Sequence, residues 1–226
     1  MNVNVPPAGL VEESSGGIRL RERYGLVLLL ILGAYLITGF DPSPLIQVVT
    51  VVLWLTLLLV TLWSPGVPRP VRMIGLVAIG VIAVVGIALA ALDGDRPDGW
   101  ASILLGIAQV AAILAILARI IQHDQVTLQT VMGGIAAYAL IAFAMAAFYN
   151  GADLLTDQTF LNGVVDRGDY TYFSFVTLTT VGYGDITAAS DLAKRMAVIE
   201  AFVGQVFIIV FVARLVSLWG MPRRLQ

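Results

Sequence analysis

The sequence predicts an all-α membrane protein: six transmembrane helices plus one re-entrant half-helix that leads into a short non-helical strand. Three observations predict it. Of 226 residues, 59% are hydrophobic and 12% charged, with a mean hydropathy of +0.92, outside the range of a soluble domain. Six predominantly apolar stretches fall at about 24–40, 45–63, 72–92, 100–122, 128–149 and 192–219, each long enough to cross a hydrocarbon core of roughly 30 Å. Between the last two lies Tyr170 to Thr179, an amphipathic, aromatic and Thr-rich run too short to span a bilayer at ~1.5 Å per residue.

Taken in order, residues 1–18 read as a disordered tail, because Pro6, Pro7, Gly9 and the stretch from Glu12 to Gly17 are too polar and flexible to pack. Residues 19–122 then hold four spans. The first follows Arg19, Arg21 and Arg23 like a signal peptide, but Asp41, Pro42 and Pro44 end it in a turn with no small-residue cleavage site, so it is expected to be a retained helix. Trp63, Trp100, Trp219, Tyr24 and Tyr149 sit at span ends and read as interfacial anchors, whereas Trp54 reads as packing. A linker at 123–127 carries His123, the only histidine, beside Asp124. It is an exposed linker side chain or, alternatively, a pH sensor between the two halves of the chain. The second half, 128–220, divides into an outer helix at 128–149, a half-helix at 170–179, a strand at 180–184 and an inner helix at 192–219. With a tail at 221–226, no attached cytoplasmic ligand-binding domain is expected. No cysteine is present, which excludes disulfides and thiolate metal sites.

Orientation follows from the basic residues. Arg19, Arg21, Arg23, Arg69, Arg72, Arg119, Arg223 and Arg224 share one side if the spans alternate, which makes both termini cytoplasmic. The opposite loops carry Asp41, Asp93, Asp95, Asp98, Asp153, Asp157, Asp166 and Asp169 against Arg96 and Arg167. They are ordinary solvated loops or, with Asp185 and Asp191, a means of concentrating cations outside.

The segment TTVGYGD at 179–185 is the most informative in the chain. An isolated GYG is usually a turn between helices. Here it follows a half-helix at membrane depth, where irregular backbone survives only if it is buried in protein or lines a watery path. Glycines at 182 and 184 allow successive carbonyls to face one side as a row of oxygen ligands able to replace the hydration shell of a cation.

Residues 172–187, YFSFVTLTTVGYGDIT, resemble the pore domain of tetrameric potassium channels, and the likeness covers roughly 128–219. The spacing of twenty residues from Gly184 to Gly204 is similar to that family's distance from filter to hinge glycine. The resemblance implies a compact bacterial six-transmembrane potassium channel with a pore helix at 170–179 and a selectivity filter at 180–184. K+ would be bound by the carbonyls of Thr180, Val181, Gly182 and Tyr183 and by the Thr180 hydroxyl, with Gly184 completing the run. One filter segment per chain implies a homotetramer. Tyr183 would point off axis into a cuff of Tyr172, Phe173 and Phe175, supported by Thr177, Thr179 and Asp185. Tyr172 stands where many members have Trp, and its phenol is expected to hydrogen-bond Asp185. Ala188 replaces a frequent proline.

The inner helix carries Glu200 and Gln205 at depths where lipid exposure is costly. Glu200 is a gating candidate or an interhelical hydrogen bond, with Ser174 or Thr177 as partners. Gly204 is a hinge or a close-packing contact. Ile208, Val212 and Val216 follow it every fourth residue as expected cavity wall and constriction.

Four spans preceding a pore suggest a voltage sensor, but the charges oppose it. A working sensor moves about three or four arginines per subunit, each worth about 2.3 kcal/mol per 100 mV. The fourth span contributes only Arg119, at its cytoplasmic end. The expectation is therefore a charge-depleted peripheral domain on a potassium channel that conducts passively, without strong voltage gating, in the inner membrane. Neither nucleophile elbow, phosphate loop nor His-containing metal cluster suggests an enzyme, and the partners expected are lipids and three further copies, not nucleic acid, with no organic cofactor. Other readings are a nonconducting subunit or a weakly selective cation channel, and a separate regulatory subunit or ligand stays open.

Overall fold

The computed structural model describes residues 95–121 and 127–219, together with scattered helical positions at 25, 28–30, 33, 73, 77, 80, 81, 84 and 85. Apart from those scattered positions, the first three expected spans lie outside the described residues, as do the tail, His123 and the 221–226 segment.

Six elements follow in order: α1 (Asp95–Ile121), α2 (Leu128–Leu155), β1 (Leu161–Asn162), α3 (Arg167–Leu178), β2 (Thr187–Ala188) and α4 (Asp191–Trp219). Stretches of α1, α2 and α4, at Pro97–Ala118, Thr130–Leu155 and Asp191–Ser217, are long and apolar enough to cross a membrane. At 12 residues, α3 is not.

Small residues bring α1 and α2 together. Ala108, Ala112 and Ala115 of α1 and Ala136, Ala137 and Ala144 of α2 are buried, the alanine-rich contact that lets backbones approach in lipid. The two helices run antiparallel, since Ser102 accepts a hydrogen bond from Asn150 at 2.9 Å and Gly99 lies against Gly151. A Cβ at Gly151 would stand 2.8 Å from the Gly99 carbonyl oxygen.

Local signals set the helix starts. Thr127 caps α2 through a capping box with Thr130, and Asp166 does the same for α3 with Asp169. That second box places the start of α3 at Arg167, ahead of the boundary at 170 expected from the aromatic run. Likewise α2 continues to Leu155, past the expected end at 149, because Asn150 and Gly151 still face α1. After α2 the chain forms a small outer lid, in which β1 and β2 pair antiparallel (Leu161 with Ala188, Asn162 with Thr187).

Two apolar clusters form the interior. One joins α1 and α2 with Leu178 at the end of α3. The other gathers Tyr149, Phe160, Leu161, Tyr170, Phe173 and Ala193 beneath the lid. Between them α3 is held within the chain, with its C-terminus leading into residues 179–185.

Candidate functional site

The strand from Thr180 to Gly184 begins where α3 ends. Thr179 caps the helix at φ −82°, and its hydroxyl donates to the Phe175 carbonyl at 2.6 Å. The next three amides turn back onto the helix: Thr180 N–H donates to Thr177 O at 3.0 Å, while Val181 and Gly182 N–H both reach Val176 O, at 2.9 and 3.4 Å. In a planar trans peptide the C=O points opposite to the N–H of the following residue. The carbonyls of Thr179, Thr180 and Val181 therefore point away from α3, into the open space beside the chain.

Beyond that point the hand of the backbone alternates. Thr180, Gly182 and Gly184 have φ of +60°, +59° and +81°, while Val181 and Tyr183 keep negative φ. Alternating hands gather N–H groups on one side and so leave the carbonyls on the other. Glycine suits two of these positions. Thr180 adopts the left-handed region despite its branched Cβ, the one non-glycine residue with positive φ among the described residues.

Most of this strand is bare in a single chain. A Cβ at Gly182 or Gly184 would meet nothing within 4 Å, and Val181 and Tyr183 are 52% and 71% exposed. The Tyr183 ring stacks on Tyr172, centroids 6.4 Å apart and nearly parallel. Phe173 does not join this pair. It is buried against Tyr149, ring centroids 5.2 Å apart, while Phe175 meets Phe143 edge-on at 5.3 Å. The expected cuff thus reduces, within one chain, to Tyr172, because the helical repeat of α3 turns residues 173 and 175 toward α2.

The far end of the segment is braced by Asp185. Tyr172 OH donates to its carboxylate at 2.7 Å, and Ile186 N–H donates at 3.0 Å. The phenol, followed by the Ile186 amide, holds the Asp185 carboxyl below its ordinary range. Gly163, at φ +86°, brings the lid onto this corner, where a Cβ would stand 2.6 Å from the Asp185 carbonyl oxygen.

Behind the strand, α4 docks through one stripe: Glu200, Gly204, Phe207, Phe211 and Arg214. Gly204 is a packing contact, since a Cβ there would meet Leu178 Cδ1 at 2.6 Å and the Leu178 carbonyl oxygen at 3.1 Å. Ile208, Val212 and Val216 lie beside this stripe and are exposed in the single chain, as is Gln205. Glu200 is buried and reaches both Ser174 and Tyr149, whose phenol donates to it at 2.7 Å. Tyr149 is therefore no interfacial anchor. It is wholly buried, because α2 extends past it and carries it under the lid.

Two features were not found in the sequence. Arg214 donates to the carbonyls of Ile120 and Ile121, at 3.2 and 2.8 Å, satisfying orphan acceptors at the end of α1. Gly134 makes room for the Phe211 ring, which a Cβ would strike at 1.9 Å. Basic character near the end of an apolar span was the signal for the first; the second left none.

Residues 130–219 match the ion channel family model. The matched region runs from the first turn of α2 to the end of α4 and so includes α3, the segment at 180–184 and the stripe of α4 behind it, but not the α1 carbonyls that Arg214 reaches. Among curated proteins, the chain is similar to two pore potassium channel b of Oryza sativa subsp. japonica, 33% identical over 81 residues, and to two pore potassium channel a of the same plant, 32% identical over 81 residues. Each alignment covers 36% of this chain and 22% of the relative. The similarity thus falls on one segment that is about a fifth of those proteins' length.

Proposed function

We propose that this chain is a subunit of a potassium-selective channel that conducts K+ passively across a membrane, most simply as a homotetramer around one shared axis. The observation that carries the proposal is the segment at 180–184: its first carbonyls turn away from α3, its hand alternates, and among the described residues it is mostly uncovered. Four such strands facing one another would surround dehydrated cations with the carbonyls of Thr180, Val181, Gly182 and Tyr183 and with the Thr180 hydroxyl. Gly184 carries the run to the mouth. The match to an ion channel family and the likeness to plant potassium channels support the same reading.

Supporting roles follow from the contacts. Tyr172 and Asp185 brace the mouth, Thr177 and Thr179 anchor the strand's start, and Phe173 fixes the pore helix against α2. Ile208, Val212 and Val216 would line the cavity or a constriction once copies meet, with Gly204 the point where α4 docks and Glu200 the polar tie beside it. The full subunit would carry six spans, both termini cytoplasmic, in a bacterial inner membrane. With one arginine in the fourth span, it would respond weakly to voltage.

Purified protein in planar bilayers, with potassium on one side and sodium on the other, tests this. A reversal potential near that of potassium, with open probability nearly flat in voltage, is expected. A reversal potential near zero would overturn selectivity, and a steep voltage dependence would overturn the missing sensor.

A further inference from the structure

Behind the pore helix, three oxygen-to-oxygen contacts form a continuous chain that links all three helices around it. Tyr149 OH on α2 lies 2.7 Å from Glu200 Oε2 on α4. Glu200 Oε1 contacts Ser174 Oγ on α3. Ser174 Oγ lies 2.7 Å from the Ala142 carbonyl oxygen, again on α2. Tyr149, Glu200 and Ser174 are all essentially inaccessible within the single chain.

Each of these contacts needs one proton between its oxygens. A backbone carbonyl supplies none, Tyr149 supplies one and Ser174 supplies one. With Glu200 ionised, three contacts share two protons. Either the Ser174 hydroxyl points at Glu200 and faces the Ala142 carbonyl as a second acceptor at 2.7 Å, or it points at Ala142 and faces a carboxylate oxygen bare. Both arrangements leave a buried acceptor pair unbridged, which is costly at low dielectric. A neutral Glu200 supplies the third proton and completes one directional chain, from Tyr149 O–H to the Glu200 carbonyl oxygen, from Glu200 O–H to Ser174 Oγ, and from Ser174 O–H to Ala142 O.

We propose that Glu200 is held as a neutral carboxylic acid whose proton positions the pore helix, and through it the filter strand, between the outer and inner helices. The inference rests on the channel reading only for its effect on ions; the proton count does not depend on it. Ser174 stands two residues before Val176, whose carbonyl holds the amides of Val181 and Gly182, so a shift of the helix at Ser174 passes directly to the strand. One turn further along α4, Gly204 rests on Leu178, so the upper half of α4 and the end of α3 form one body. Among the described residues, the groups facing Glu200 are Ser174 on α3 and Tyr149 and Tyr138 on α2; Tyr138 itself donates to Leu178 O at 3.0 Å. Glu200 is thus a positioning residue and touches no ion.

Infrared spectroscopy of the full chain in lipid, as a difference between wild type and Glu200→Gln, reads the proton directly. A protonated-carboxyl stretch lost in Glu200→Gln at neutral pH is expected. A carboxylate signature in its place would overturn the proposal. Amide exchange over residues 176–182, read by mass spectrometry, tests the positioning. Glu200→Val is expected to lower protection there about tenfold, the loss of one buried hydrogen bond. Glu200→Gln, which presents an N–H donor and a carbonyl acceptor at the same places, is expected to restore it and to abolish the loss of protection that wild type should show at strongly alkaline pH. Equal protection in Val and Gln variants, or an alkaline loss that persists in Glu200→Gln, would overturn the positioning role. Neither readout needs a current, so a protein with the acid band but no potassium current would sink the channel reading and leave the proton assignment standing.

Discussion

Helices α2 and α4 are almost the same length, 28 and 29 residues, and both are predominantly apolar, yet they stand in opposite surroundings. Of the apolar stretch of α2, 56% is buried in its own chain; of α4, 11%. Helix α2 packs against α1 on one side and α3 on the other. Helix α4 touches the chain along a single stripe and leaves Val198, Ile199, Phe202, Ile209, Val210 and Val216 uncovered. The segment at 180–184 shares the fate of α4. Similar hydropathy therefore conceals a division of labour, in which one helix is scaffold, largely covered by the described residues, while the other and the segment at 180–184 present surfaces that those residues leave bare.

If that division holds, changes on the bare side alter ion passage and spare the fold, and changes on the covered side do the reverse. The largest effect is expected at the strand. Gly182→Ala and Gly184→Ala add a Cβ that meets no neighbour within 4 Å but force an L side chain into φ of +59° or +81°, costing about 1–2 kcal/mol per chain. In a ring of copies that cost repeats in each, so potassium selectivity over sodium should fall by about tenfold or more, measured as a reversal potential, while the helical content of the detergent-solubilised protein stays unchanged. Loss of helicity instead would show that the strand belongs to the covered half.

The mirror experiment is Gly204→Ala. Here φ is unremarkable and the obstacle is Leu178, at 2.6 Å from the new methyl. Overpacking of this kind costs about 1–3 kcal/mol, so the thermal midpoint should fall while reversal potential persists in the channels that remain. A hinge role at Gly204 would be favoured by the opposite result, unchanged stability with altered open probability.

A smaller effect is expected at the mouth, where Tyr172 and Asp185 meet. A carboxyl with a depressed folded-state value contributes its bracing above the unfolded value and loses it as pH falls through the folded one. Outer acidification to about pH 4, the ordinary carboxylate range, should therefore leave wild-type current largely intact, with loss only at lower pH. Tyr172→Phe removes the first cause of that depression and should move the loss upward toward about pH 4. An unshifted acid limb in the variant would mean that the phenol does not brace the filter.

The sequence carried these features unequally. Tyr172 and Asp185 are 13 residues apart on either side of a motif whose backbone path follows from its own glycines, so their meeting could be written down in advance. Glu200 was conspicuous as a carboxyl in an apolar span, but its partner Tyr149 lies 51 residues away and looked like an interfacial anchor. Only the continuation of α2 past Asn150, driven by its packing on α1, carries that phenol inward. Gly134 and Phe211 are two ordinary residues in two apolar helices, and nothing local distinguishes the notch between them. In a membrane, where every face of a span is apolar, periodicity no longer reveals which face is covered. For the three spans among the described residues helix existence stayed legible, and partner choice did not.

The finest test of the division lies at the outer rim, where Arg167 in the first turn of α3 pairs with Asp98 of α1 at 2.6 Å. More than half of each side chain remains exposed, and Arg167 sits at a helix N-terminus where a cation is disfavoured. An exposed pair of this kind contributes about 0–1 kcal/mol and is screened by salt. Asp98→Asn should therefore change the thermal midpoint barely at all and leave current intact, even though it cuts the one side-chain ion pair among the described residues that ties α1 directly to α3. A large loss of either quantity would mean that α1 steers α3 through this contact, and that it acts on the segment at 180–184 rather than standing beside it as scaffold.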